Sequence, residues 1–190
     1  MANQRIIYFR GLLVAGGFLG ILLALWGLYV GFEKGGPHED SIQVLDRLER
    51  DGIPEFSLPD LNGHQFEIKS LKGKVIVLNF WATWCAPCVE EFPSLIQMVK
   101  TFGGSVALVT VAADEHKEDI QRFIQALKLE NKNWVSLWDP QLVVAKQFGT
   151  QKLPETFILD RQFKVVKKVV NSVDWNSDAV LHYLGDLQKN

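Results

Sequence analysis

The chain has 190 residues, of which 47% are hydrophobic and 22% are charged, so it is long enough for one globular domain with an appendage and is not disordered as a whole. Its net charge of −2 is uneven, because residues 1–32 contain Arg5 and Arg10 and no acidic side chain, whereas the remainder has 18 basic and 22 acidic side chains. A mildly acidic domain argues against nucleic-acid binding, and two cysteines cannot form a framework of several disulfides or the usual four-cysteine zinc site.

The first predicted element is a transmembrane helix. Residues 11–32 form a run of 22 residues without a charge, and at about 1.5 Å per residue this run spans about 33 Å, enough to cross a bilayer core of about 30 Å. A cleaved signal peptide is the alternative, but the A-x-A-like cleavage site is missing. Arg5 and Arg10 precede the run, so the positive-inside rule places the rest of the chain outside the cytoplasmic membrane, in an oxidising compartment.

The remainder of the chain is predicted to be a linker and one α/β domain. Residues 33–52 are polar and are expected to be the linker, with a short helix at residues 42–48, and residues 53–190 are expected to be the domain. The apolar patterns first predict a β-hairpin around residues 60–63, and then a buried strand at 74–81, a helix with apolar residues Phe92, Leu95, Ile96 and Val99, and a second buried strand at 105–113. A helix at about 117–127 follows, and then a strand in NWVSLW and a helix at about 140–148 that is capped by Asp139. The last predicted elements are two strands that begin at Thr156 and Lys164 and a helix at 174–187.

Both cysteines lie in the segment WCAPC, residues 84–88, where the first buried strand is predicted to turn into its helix. The first turn of a helix has unpaired backbone N–H groups and the positive end of the helix dipole, which favour a thiolate. We therefore predict that Cys85 is the exposed nucleophile and that Cys88 is the buried cysteine that resolves the mixed disulfide. The alternative is a purely structural disulfide, but a disulfide that closes so short a loop stabilises a fold by only about 2 kcal/mol.

The motifs NFWATWCAPCVEEFP, residues 79–93, and LPETF, residues 153–157, resemble the thioredoxin-like TlpA, ResA and CcmG (DsbE) family of membrane-anchored thiol-disulfide oxidoreductases. The resemblance extends from about residue 53 to the C-terminus. It implies a thioredoxin-like α/β fold: a central mixed sheet with flanking helices, an N-terminal β-hairpin and an inserted strand-helix element. It also implies that Pro154 is a cis-proline facing the cysteine pair, that Leu153 pairs its backbone with an extended substrate, and that Pro93 kinks the active-site helix.

Glu91 is the predicted proton acceptor. Thioredoxin carries an aspartate six residues before its first cysteine, and the matching residue here is Asn79, which cannot take a proton. Helical spacing places Glu91 at the border of the apolar face, three residues after Cys88, whereas Glu90 points to the opposite side. The family's buried glutamate lies at the Glu91 position. The alternative is an ordinary helix acid near an N-terminus.

Two tryptophans flank the motif, of which Trp81 is expected in the core and Trp84 is expected to form a partly exposed wall beside the thiolate. The sequence departs from the family after residue 160, where a glycine-containing turn and a later glycine are usual and this chain has RQFKVVKKVVNSVDW. This departure affects the edge of the sheet beside the expected substrate groove.

The predicted function is a disulfide reductase that acts on protein substrates outside the cytoplasmic membrane. The resemblance implies apocytochrome c as substrate and a membrane electron donor of the DsbD or CcdA type, and the Cys85–Cys88 pair itself is expected to be the redox group, without a further cofactor or metal. One alternative is a copper-binding chaperone for oxidase assembly, which usually has C-x-x-x-C and a downstream histidine. Another is a thiol peroxidase, which usually has a threonine three residues before the reactive cysteine, whereas Thr83 is two residues before Cys85.

Overall fold

The computed structural model describes residues 20, 21, 23–26, 40–128 and 131–189. The predicted membrane anchor, residues 1–32, lies largely outside the described residues, and no helix within the described residues is long and apolar enough to cross a bilayer. The chain divides into two compact units, residues 1–39 and 40–190. The second unit carries the predicted domain and both cysteines.

A five-stranded mixed sheet forms the centre of this unit. Its strands are β3 (Val75–Trp81), β4 (Val106–Ala112), β5 (Trp134–Trp138), β6 (Glu155–Leu159) and β7 (Val165–Val170), in the order β5-β4-β3-β6-β7. Strands β3, β4 and β5 run parallel, while β6 and β7 are antiparallel to their neighbours. Every residue of β3 and β4 is buried, which explains their nearly continuous apolar runs.

Helices cover both faces of the sheet. They are α1 (Ser41–Asp51), α2 (Ala86–Thr101), α3 (Lys117–Leu127), α4 (Val143–Gln147) and α5 (Asp178–Leu187), and a separate hairpin is formed by β1 (Ser57–Pro59) and β2 (Gln65–Glu67). Buried residues of α2, α3 and α5 share one apolar cluster with β3, and those of α1, α4 and β1 share the other. This arrangement confirms the thioredoxin-like α/β fold, with its hairpin and its inserted β5–α4 element.

Helix α1 corrects the predicted domain boundary. The sequence assigned residues 33–52 to a linker, yet α1 buries Val44 and Leu48 in the apolar cluster beside α4 and β1. The backbone N–H of Ile53 also donates to the carbonyl of Phe163, 2.9 Å away, in the turn after β6. The compact unit therefore begins at residue 40 rather than at residue 53, because the apolar stripe of α1 packs on the sheet.

Two helices begin later than the sequence predicted. Helix α4 starts at Val143 because Leu142 has a left-handed backbone with φ of 56°. Helix α5 starts at Asp178 because Asp174 forms a turn, in which its carbonyl accepts bonds from the N–H and hydroxyl of Ser177. Polar side chains that bond to the nearby backbone delay a helix in this way.

The sheet edge after β6 forms without the glycines that are usual in the family. The turn between β6 and β7 places Phe163 in the left-handed region with φ of 66°, and Asn171, after β7, has φ of 73°. Asn171 N–H donates to the carbonyl of Pro154, 3.1 Å away. The end of β7 is thereby attached to the loop that precedes β6.

Candidate active site

The two cysteines form a disulfide at the start of α2. Their S–S distance is 2.09 Å and their Cα atoms are 5.3 Å apart, as the first turn of a helix permits for residues three positions apart. Cys85 is the N-cap residue of α2, while Cys88 lies inside the helix. Cys85 is only 7% exposed and Cys88 is fully buried, so the order of exposure agrees with the prediction, but Cys85 is less exposed than predicted because it is part of the apolar cluster that contains β3 and α2.

The loop before Cys85 is held by Asp114, which the sequence analysis did not identify. Asp114 is buried just after β4, and its carboxylate accepts bonds from the backbone N–H of Thr83 at 3.2 Å and from the hydroxyl of the same residue. The indole N–H of Trp138 donates to the backbone carbonyl of Asp114, 2.8 Å away. An acid shortly after a buried parallel strand is a sequence signal that could have identified this position, since such strand ends meet at one edge of the sheet.

A mostly apolar pocket of about 560 Å³ opens beside Cys85. Trp84 forms one wall and is 70% exposed, while Trp81 is fully buried, as predicted for both. Helix α4 contributes Ala145 and Lys146 to the lining of the same pocket. The inserted β5–α4 element therefore builds one side of a concave site next to the disulfide.

The Leu153–Pro154 peptide bond is cis, which confirms the expectation from the resemblance. Leu153 lines the same pocket as Cys85 and Trp84, and Pro154 is buried behind it. Directly after the proline, Glu155 forms an ion pair with Lys168 of β7, with 3.1 Å between Oε2 and Nζ. Of the three predicted substrate-binding residues, Trp84 and Leu153 line the pocket beside Cys85, whereas Pro154 does not.

Glu91 is buried, with 4% of its surface exposed, whereas Glu90 is exposed, and both side chains line one cleft. Oε1 of Glu91 accepts a bond from Asn79 Nδ2 at 3.0 Å, and Oε2 accepts bonds from Trp175 Nε1 at 3.0 Å and Val173 N at 3.3 Å. Burial raises the pKa of Glu91 above its ordinary value, and the bonds from Trp175, Val173 and Asn79 act in the opposite direction. The structure shows the expected difference in burial between Glu91 and Glu90, although the two side chains do not lie on opposite sides of α2.

Glu91 does not line the pocket beside Cys85. It lies on a separate cleft of about 350 Å³ between α2 and the segment before α5, with Ser94, Ser172 and Asp174 among the lining residues. Glu91 and Cys88 are linked through α2 itself, because both are buried and lie three residues apart on that helix. The structure therefore separates a substrate side, at Cys85, from an acid side, at Glu91.

Histidine and carboxylate side chains do not gather into a candidate metal centre in the part of the chain that the structure describes, where no group of three or more His, Cys, Asp or Glu could hold an ion. The group at this site with redox chemistry is the disulfide between Cys85 and Cys88. Once it is reduced to two thiols, such a pair can attack a substrate disulfide and return to the disulfide form.

Comparison with known proteins agrees with this geometry. The AhpC/TSA family profile matches residues 50–168. Thiol-disulfide oxidoreductase ResA of Bacillus subtilis is 31% identical over 174 residues, which make up 91% of this chain and 90% of that protein. The solved structure of MTB DsbF has a TM-score of 0.62 and 30% identity, and the match covers 71% of this chain and 98% of that chain. A secreted Mycobacterium tuberculosis disulfide oxidoreductase homologous to E. coli DsbE has a TM-score of 0.58 and 26% identity, and the match covers 76% of this chain and 97% of that chain.

The fold and the site define a thioredoxin-like protein whose cysteine pair forms a disulfide at the start of a helix. The chain belongs to the AhpC/TSA family. Within it, this protein is a thiol-disulfide oxidoreductase similar to ResA and to the DsbE-like proteins, and its substrates are disulfide-containing proteins.

Proposed function

We propose that this oxidoreductase works as a disulfide reductase through Cys85 and Cys88. The Cys85 thiolate attacks a substrate disulfide, so that one substrate sulfur leaves as a thiolate and a mixed disulfide forms. The Cys88 thiolate then attacks Cys85 Sγ, which releases the second substrate thiolate and forms the Cys85–Cys88 disulfide. The substrate gains two electrons and the cysteine pair loses two. The observation that carries this proposal is the position of the disulfide, which lies at a helix start beside an apolar pocket.

The pocket supports a protein substrate in extended form. Leu153, the residue before cis-Pro154, lines the pocket that Cys85 also lines. Trp84 offers an exposed aromatic surface for an apolar side chain next to the reacting cysteine. We propose apocytochrome c as this substrate, because haem attachment to its C-x-x-C-H motif requires two free thiols in a compartment that oxidises them.

We further propose that the enzyme is anchored in the cytoplasmic membrane by residues 1–32 and acts on the outer side. The support is the run of 22 uncharged residues after Arg5 and Arg10. An oxidised Cys85–Cys88 pair must then be reduced again before the next cycle. A membrane electron donor of the DsbD or CcdA type would supply those two electrons.

Glu91 is proposed to accept the proton of Cys88 during the resolving step. Cys88 is fully buried, and burial disfavours its thiolate, so a nearby base assists the reaction. Glu91 is the buried carboxylate on the same helix. Because the pKa of Glu91 is raised, its carboxylate becomes available only as the pH rises through that raised value.

The experiment is stopped-flow thiol exchange of the full chain, Glu91→Gln and Glu90→Gln between pH 4 and pH 9. We expect exchange by the unaltered chain to accelerate as Glu91 ionises, and we expect Glu91→Gln to lose this acceleration and to be slower by about 10²-fold or more. Glu90→Gln should follow the unaltered chain because Glu90 is exposed. Equal pH profiles for all three proteins would remove Glu91 from the mechanism.

A further inference from the structure

Asn79 lies at the centre of a buried polar group that the reaction described above leaves without a role. It is fully buried in β3, and its Nδ2 donates both to Oε1 of Glu91, at 3.0 Å, and to the hydroxyl oxygen of Thr156, at 2.8 Å. Thr156 lies directly opposite Asn79 on β6. The other half of the amide, Oδ1, is buried and has no hydrogen-bond partner among the residues that the structure describes. An unpaired buried acceptor is costly, so its retention requires a reason.

The bonds around Glu91 determine which oxygen can take a proton. Oε2 already accepts two N–H groups, from Trp175 and from Val173, and a proton on Oε2 would point at these donors. Among the residues that the structure describes, Oε1 accepts a bond from Asn79 alone. A proton that Glu91 takes up therefore belongs on Oε1, where it faces the amide nitrogen of Asn79. In the present orientation that arrangement would set an O–H donor against an N–H donor.

A half-turn of the Asn79 amide resolves this conflict. It exchanges Oδ1 and Nδ2 with almost no change in volume, so Oδ1 comes to face both Glu91 and Thr156. Oδ1 can then accept from the Oε1–H group of Glu91, and the Thr156 hydroxyl can rotate and donate to the same oxygen. The oxygen that is unpaired while Glu91 is ionised thus gains two partners when Glu91 is protonated, and Nδ2 moves to the position that Oδ1 left, where the described residues provide no acceptor.

We propose that Asn79 is a positioning residue whose side-chain amide turns over when Glu91 takes up a proton, so that one side chain serves both states of the base. The proposal rests on the proposed role of Glu91. The remaining titratable groups near Glu91 are Cys88 on α2 and the exposed acids Glu90 and Asp174, which line the same cleft. Strand β3 contributes Asn79 and strand β6 contributes Thr156, neither of which titrates, and the adjacent Glu155 of β6 is paired with Lys168 of β7.

The test is nuclear magnetic resonance of the full chain with asparagine side chains labelled with ¹⁵N, where the Asn79 signal is the one missing from Asn79→Ala. During a pH titration, both Nδ2 protons of Asn79 should lose their hydrogen-bonded shifts, with the midpoint at which the Glu91 carboxyl titrates. Glu91→Gln should hold the Asn79 signal at its acidic position at every pH, because the new amide donates from the Oε1 side. Glu90→Gln is the matched control and should titrate like the unaltered chain.

Two results separate this inference from the proposed function. If the Asn79 signal is the same in Glu91→Gln and in the unaltered chain at a pH above the midpoint of the Glu91 titration, the amide does not turn over and the inference is overturned, whatever the exchange kinetics show. If the signal follows Glu91 but thiol exchange is unchanged in Glu91→Gln, Glu91 is not the base, and the coupled turn of Asn79 stands as a structural property.

Discussion

Replacing Asp139 with alanine tests how the inserted element shapes the pocket beside the disulfide. The carboxylate of Asp139 is 2% exposed and accepts the backbone N–H groups of Val143, Val144 and Ala145 at 2.8, 2.9 and 3.1 Å. These are the groups that a helix start leaves without a partner. Loss of a capping side chain costs about 0.5–2 kcal/mol, and three bonds to a buried carboxylate place this residue at the upper end, at about 2 kcal/mol.

The assay combines urea unfolding with steady-state kinetics on a disulfide-containing protein substrate. The free energy of unfolding should fall by about 2 kcal/mol in Asp139→Ala. Because α4 forms one wall of the pocket, KM should also rise, by about fivefold if about 1 kcal/mol of substrate binding is lost. The matched control is Asp160→Ala, whose carboxylate accepts the N–H groups of Gln162 and Lys164 in the turn after β6, away from the pocket.

Asp160→Ala should lower the free energy of unfolding by about 1 kcal/mol and leave KM unchanged. Two outcomes would refute the reasoning about α4. One is a loss of less than about 0.5 kcal/mol in Asp139→Ala, which would mean that the three bonds do not hold the helix. The other is an equal rise in KM in both variants, which would mean that KM reports general destabilisation.

Three further predictions follow from the geometry. Cys88→Ser should accumulate a mixed disulfide with substrate through Cys85 on a non-reducing gel, whereas Cys85→Ser should not, and equal trapping in both would reverse the assigned roles. Trp84→Ala should raise KM by about fivefold to tenfold, because an exposed aromatic wall is lost, while the urea midpoint stays within error, and an unchanged KM would exclude this wall from substrate binding. Leu48→Ala should lower the free energy of unfolding by about 3 kcal/mol, and Ile42→Ala on the exposed side of α1 by less than about 0.5 kcal/mol; equal losses would show that α1 does not pack on the domain.

The sheet and most helices could be predicted because buried strands and helices have recognisable patterns of apolar residues. Strands β3 and β4 are buried on both faces and read as continuous apolar runs, and α2 shows its buried stripe at helical spacing. The predicted bounds of α3 agree with the observed Lys117–Leu127. Helix α1 also has an apolar stripe, but a stripe does not say which surface it covers, so its packing against the sheet could not be predicted.

In the active site, too, features that depend on local spacing could be predicted and features that depend on distant contacts could not. The roles proposed for Cys85, Cys88 and Glu91 depend on local spacing at a helix start, and the structure places these residues as that spacing predicts, apart from the low exposure of Cys85. The partners of Glu91 come from 12 residues before it and 84 residues after it. Contacts at such separations depend on the assembled fold, which is why the bonds from Asn79 and Trp175 could not be predicted from the pattern.

The reduction potential of the Cys85–Cys88 couple tests the central claim most directly. The full chain would be equilibrated with glutathione buffers of known ratio, and the reduced fraction would be measured by thiol alkylation. The residues between the cysteines, Ala86 and Pro87, carry no charge that would stabilise a thiolate. We therefore expect this pair to have a potential nearer to the value of about −270 mV for thioredoxin than to the value of about −120 mV for the oxidant DsbA, as a reductase requires. A measured potential near about −120 mV would contradict the account, because such a pair would oxidise protein thiols instead of reducing disulfides.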